Sequence, residues 1–210
     1  MRRVLLAGAA LMALAVAAPA HAVTDPVGDF LPTYVGPQDA DLDVTEFLVT
    51  FNSVDNVFNI TATMAGDIDP STQGLYAIGV NTGTGVIQPF ANIGNPNVVF
   101  NQVVAVFKNG DAFLGANQLS ANIVDDHFTI SVPLALLPST GFAPTEYGWN
   151  IWPRLALPPS GNDVISDFAP NNATMTASIP EPAAWALMIG GFAFVGGLLR
   201  RRNLRAALPV

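Results

Sequence analysis

Three aspartates, Asp39, Asp41 and Asp43, recur at intervals of two, a spacing that on a β-strand puts all three carboxylates on one face. Such a row repels itself unless it is open to water or holds a cation. The cation that suits hard carboxylate oxygens is calcium. The stretch is not an EF-hand, because Val44 stands where the loop needs glycine and Thr50 where it needs a bidentate glutamate. A solvated acidic strand edge that discourages edge-to-edge pairing is the alternative arrangement. Asp25 and Asp29 around Gly28, and Asp163 and Asp167 in the stretch from Gly161 to Phe168, offer further oxygen donors in turns.

Other chemistries are bounded by what is missing. The chain of 210 residues has no cysteine, which excludes disulfides, thiol catalysis, thiolate zinc sites and iron–sulfur clusters. Between residues 23 and 179 the one histidine is His127, so a Ser-His-Asp triad would need it, and its sequence context reads as an ordinary strand position. No Gly-x-Ser-x-Gly, His-Glu-x-x-His or phosphate-binding glycine loop occurs. Hydrolysis through two carboxylates stays open, because spacing in sequence does not place two acids across a bond. The same span has fifteen acidic residues against Lys108 and Arg154, a net charge of −13 that repels phosphate backbones and excludes nucleic acid as a partner. Arg154 is expected to pair with buried carboxylates. Trp149 and Trp152 are the candidate glycan contacts; three apart on a strand, they face opposite sides, so one of them belongs to the core.

The two ends carry a different kind of signal. Met1-Arg2-Arg3, the apolar run from Val4 to Ala18 and the small-x-small ending Ala20-His21-Ala22 make a secretory signal peptide, residues 1–22, with cleavage by signal peptidase before Val23. Near the other end Ala183 to Leu199 has no charged residue, and Arg200-Arg201-Arg202 follows. Seventeen residues at about 1.5 Å each reach roughly 25 Å, enough to cross a bilayer with local thinning. The arginines are expected to stay cytoplasmic, with Trp185 at the outer interface and residues 203–210 as a cytoplasmic tail. Pro180-Glu181-Pro182, Trp185, Met188, Gly190, Gly191, Phe192 and Arg200 to Arg202 resemble the PEP-CTERM sorting domain of Gram-negative bacteria, also called an ice-binding-protein C-terminal domain. That resemblance covers about 23 residues. It implies recognition by an exosortase, a membrane-embedded transpeptidase that removes the anchor and passes the protein towards the cell surface.

Residues 23–179 are long enough for one domain with its own core. Runs rich in Val, Ile, Thr and Phe predict strands over 43–51, 57–64, 76–80, 98–107 and 128–132, separated by turn signals such as Asn109-Gly110. The fold class expected is mainly β, an antiparallel β-sandwich of jelly-roll type, followed by the single transmembrane helix 183–199. Three stretches resemble the DOMON-like and family-nine carbohydrate-binding sandwiches: Asp25 to Phe30 with Asp41 to Val44, Tyr76 to Gly83, and Ile130 to Leu136 with Trp149 to Arg154. That resemblance implies a binding fold with a structural calcium and a sheet face used for sugars or haem. No haem ligand set is visible. The reading that results is a non-enzymatic, exosortase-sorted surface or extracellular-matrix protein associated with exopolysaccharide, first anchored in the inner membrane with its body in the periplasm. A carbohydrate-binding module and a carboxylate-dependent glycan hydrolase are the alternatives.

Overall fold

The computed structural model describes residues 22–158 and 160–179, which belong to one compact unit, Ala20–Pro180. The expected signal peptide, residues 1–22, up to residue 21, and the expected sorting motif, span 183–199 and tail lie outside the described residues. Among the described residues no helix is long and apolar enough to cross a membrane.

The body is β with short 3-10 turns, one of which, Leu134–Leu136, occupies the proline-led stretch after residue 133. Its strands are β1 (Val23–Thr24), β2 (Val44–Asn52), β3 (Val57–Met64), β4 (Leu75–Asn81), β5 (Gln102–Phe107), β6 (Asp111–Leu114), β7 (Asn117–Val124), β8 (His127–Pro133), β9 (Gly148–Arg154) and β10 (Met175–Thr176). They form one antiparallel sheet in the order β1-β2-β3-β8-β7-β6-β5-β4-β9-β10. Two separate sheets were expected; the sheet is instead continuous through β7. Residues Asn117 to Ser120 of that strand pair with β6 and residues Ala121 to Val124 pair with β8, so one strand serves both halves. At the other seam, the Ser178 N–H donates to the Val49 carbonyl at 2.9 Å and the Phe51 N–H donates to the Ser178 carbonyl at 2.8 Å. The chain just after β10 thus reaches the free edge of β2 and nearly closes the sheet.

Alternation explains which face turns inward. Phe58, Ile60, Ala62 and Met64 of β3 are buried, while Asn59 between them is exposed, as a half-buried strand requires. With Phe47, Val80, Phe128 and Trp149 they build the interior. A second apolar cluster covers the opposite side of β4 and β9, where Phe90, Val98, Phe100 and Phe168 surround Trp152. β4 and β9 are therefore buried on both faces throughout. Gly79 is required between them, because a Cβ there would stand 2.5 Å from the Trp152 ring.

The expected strand 98–107 is shorter than its apolar run. Val98 and Phe100 belong to the loop that covers Trp152, and the strand starts only at Gln102. Asn101 stands just before the strand, its N–H still donating to the Val80 carbonyl at 3.0 Å while its side chain holds Thr82 and Thr140. The Asn109-Gly110 turn joins β5 to β6, with Gly110 at φ +89° and the Asn109 Oδ1 accepting from the Asp111 N–H at 3.1 Å.

Candidate metal centre

Asp43 ends the 3-10 turn Ala40–Leu42 and leads into β2, so the three alternating aspartates do not share a strand face. The turn separates them. Asp41 points to Lys108, whose Nζ lies 2.7 Å from Asp41 Oδ2 in a pair almost wholly buried. Thr72 accepts from Lys108 and the Asp69 N–H donates to Asp41 Oδ2, while Asp41 Oδ1 is buried without a partner. Asp39 makes no such contact, and among the described residues neither it nor Asp41 belongs to a group of acids arranged to hold a metal. The solvated-edge alternative also fails for Asp41 and Asp43, which are 4% and 2% exposed.

Asp43 turns instead towards the N-terminal segment. Its Oδ2 accepts the Gly28 N–H at 2.7 Å, and Gly28 takes φ +83° in the turn between Asp25 and Asp29. From the far end of the body comes Asp167, fully buried, whose two oxygens accept the Val44 N–H at 2.9 Å and the Phe168 N–H at 2.6 Å. Carboxylate oxygens of Asp25, Asp29 and Asp167 lie within 4.8 Å of one another. Asn171 bridges two of these acids, its Nδ2 donating to Asp25 Oδ1 at 3.0 Å and to Asp29 Oδ2 at 3.2 Å. The loop carrying Asn171 is clamped in turn by the Asn150 amide, which donates to the Pro170 and Ala173 carbonyls.

The electrostatics of this corner are unbalanced. Burial pushes the Asp25 carboxyl up to about 8, with the charges of Asp167, Asp29 and Asp43 adding to the effect. Asp167 rises to about 7 through burial, partly offset by the Val44 N–H and raised further by Asp29. Asp43 is also raised, first by burial, against the lowering effect of the Gly28 N–H. Among the described residues no cation relieves them. Lys108 is engaged by Asp41, and Arg154 is held by the Ser160 hydroxyl at 2.8 Å and by the backbone carbonyls of Ala156 and Gly161. The expected pairing of Arg154 with carboxylates is thus replaced by a cap of neutral oxygens.

The residues fit a hard divalent cation. Asp25 Oδ2, Asp29 Oδ1 and Asp43 Oδ1 are buried and lack a hydrogen-bond partner, leaving lone pairs in a place water does not reach. All available donors are oxygens, and one ion with ligands at about 2.3–2.6 Å reaches several carboxylates this close together. Of the sequence-predicted acids, Asp25, Asp29 and Asp167 converge and Asp43 stands beside them through its bond to Gly28, whereas Asp39, Asp41 and Asp163 are not part of the group. Asn171 was not anticipated; an asparagine pair in a turn after a proline carries no signal of its own.

The remaining site candidates divide clearly. Trp149 and Trp152 do lie on opposite faces of β9, but both are buried, at 0% and 2% exposure. Neither ring offers a face to a sugar, because the loops over β4 and β9 make the second face a core as well. His127 opens β8 and sits 3.2 Å from Asp126 at the half-exposed strand end. The residues expected to act in sorting, Pro180, Glu181, Pro182, Trp185 and Arg200 to Arg202, lie outside the described residues. No protein-family model matches the chain, and no curated protein matches it.

Proposed function

We propose that this is an exported, non-enzymatic surface or matrix protein, sorted by an exosortase, whose β body is stabilised by one calcium ion at Asp25, Asp29 and Asp167, beside Asp43. The convergence of the Asp25, Asp29 and Asp167 carboxylates beside Asp43, with no cation of the described residues among them, carries the calcium reading. We read the nearly closed sheet as the jelly-roll-like sandwich that suits such a body. Export and sorting rest on the basic, apolar and small-residue pattern of residues 1–22 and on Pro180-Glu181-Pro182 with its apolar stretch and arginines. The test of the metal is calorimetric titration of the full chain, held in detergent, with calcium chloride; the wild type is expected to bind, and Asp25→Asn to lose the heat of binding. Wild type without binding heat would refute the calcium reading. The test of sorting is Pro180→Ala with Glu181→Ala in an exosortase-bearing host. That variant is expected to remain larger and in the inner membrane; unchanged size and location refute the sorting reading.

A carbohydrate-binding role is favoured by a different surface from the tryptophans. Across β3, β8 and β7 the outward side chains Asn59, Thr61, Ser131, Thr129, Asn122 and Ser120 line one shallow, charge-free groove. Uncharged hydroxyls and amides suit a neutral polysaccharide, which a body of net charge −13 does not repel. On this reading Asn59→Asp with Thr129→Asp weakens retention on exopolysaccharide, while Trp149 and Trp152 matter only through folding.

A further inference from the structure

The cation site stands at the seam where the sheet closes. β2 has one edge bonded to β3 along its whole length, and its other edge receives two short pieces of chain. β1 pairs there through Val23 and Thr24, and the Asp25 N–H extends the pairing to the Thr45 carbonyl at 2.9 Å. Ser178 takes the remaining length of that edge, beside Thr50. Two-residue strands make few backbone hydrogen bonds and bury little, so they open at low cost.

Both pieces lead directly to cation ligands. Asp25 follows β1 immediately, and Asp29 lies in the same segment. Asp167 and Asn171 precede β10, which pairs with β9 and delivers Ser178 to β2. Asp43 stands immediately before β2, 2% exposed, with one oxygen bonded to Gly28 and the other without a partner. The first and last segments therefore each contribute carboxylates to one point, and Asp43, at the head of the edge they share, holds the Gly28 turn that carries two of them. Ionised and without a cation, these carboxylates push the segments apart; a cation draws them together.

We infer that the divalent cation is a clasp for this seam, holding β1 and the segment from Asp167 to Ser178 on β2 while the rest of the sheet stands without it. The inference rests on the calcium reading above and goes further in assigning the ion a local task. The clasp closes two residues before Pro180, so it also sets whether the stretch entering the sorting motif is tied to the body or loose.

Hydrogen exchange by mass spectrometry on the full chain in detergent, in millimolar calcium chloride and in EGTA, tests this, with calorimetry on the same samples. Expected is an increase of about tenfold or more in exchange, on removing calcium, for peptides covering 23–31 and 165–179, with peptides of β3 and β8 unchanged. Asp29→Asn, a change near the surface that leaves the core intact, should show the fast exchange even in calcium. Binding heat without any change at the seam overturns the clasp and leaves the calcium reading in place. Equal loosening of every strand also overturns the clasp, since the ion then stabilises the body as a whole. Absence of binding heat overturns both.

Discussion

The Asn171 side-chain amide donates to the Asp25 carboxylate at 3.0 Å across 146 residues of chain. That one contact joins the start of the body to its end, in a corner where Asp29, Asp43 and Asp167 also gather. Its consequences for stability are directional and measurable.

The metal-free protein should lose stability as pH rises. Asp25 and Asp167 hold protons to about pH 8 and 7 in the folded state, against an ordinary value of 3.8, so between these limits the folded state binds more protons than the unfolded one. Their contribution is full below about pH 4 and declines through pH 7 to 8. In EGTA, thermal unfolding is expected several degrees higher at pH 5 than at pH 8.5, a shift of a few degrees for each kcal/mol in a chain this size. Calcium should reverse the trend, because it binds the deprotonated carboxylates. A metal-free melting temperature that rises between these pH values would contradict the assignment.

The Lys108–Asp41 pair should show the asymmetry of buried charges. Lys108→Met leaves Asp41 unpaired in the interior and is expected to cost about 3–5 kcal/mol, whereas adding Asp41→Leu should restore much of the loss. Denaturant titration of the single and double variants measures both. Equal stabilities of the Lys108→Met variant and the wild type would show that the pair is solvated.

Much of the secondary structure could be read from residue order, and the reasons are local. β3 coincides with its alternating pattern, residue for residue, because one face meets the interior and the other meets water. β6 and β7 were missed for the converse reason. In β7 only Ala121 is fully buried and most neighbours are polar, so the strand is defined by its partners on either side rather than by its own periodicity.

Gly79→Ala should cost about 1–3 kcal/mol, the range for overpacking, because the new methyl meets the Trp152 ring at 2.5 Å. Trp152→Phe in the same chain should recover part of that cost by shortening the ring. Thermal melts of the three variants form a double-mutant cycle; simple additivity would argue against the contact.

Trp149→Ala and Trp152→Ala should each destabilise the fold by about 3–5 kcal/mol, since both rings are buried and leave cavities. Neither change should weaken glycan retention beyond the loss of folded protein. A folded, stable Trp152→Ala variant that no longer binds polysaccharide would restore that residue as a ligand contact.

Composition alone established an acidic β body with almost no basic residues and no cysteine, because those properties are sums over the chain and need no geometry. Alternation established the inward faces of single strands, since a pleat repeats every two residues whatever surrounds it. Which aspartates meet was decided only by the tertiary structure. Asp39, Asp41 and Asp43 look alike in sequence, yet a 3-10 turn sends Asp41 to Lys108 and Asp43 to Gly28. Asp167 and Asn171 join them from the far end because the chain returns along β9 and β10 to the free edge of β2. Side-chain charge is a property of each residue, but repulsion and coordination depend on distance, and distance between remote residues exists only once the sheet has closed.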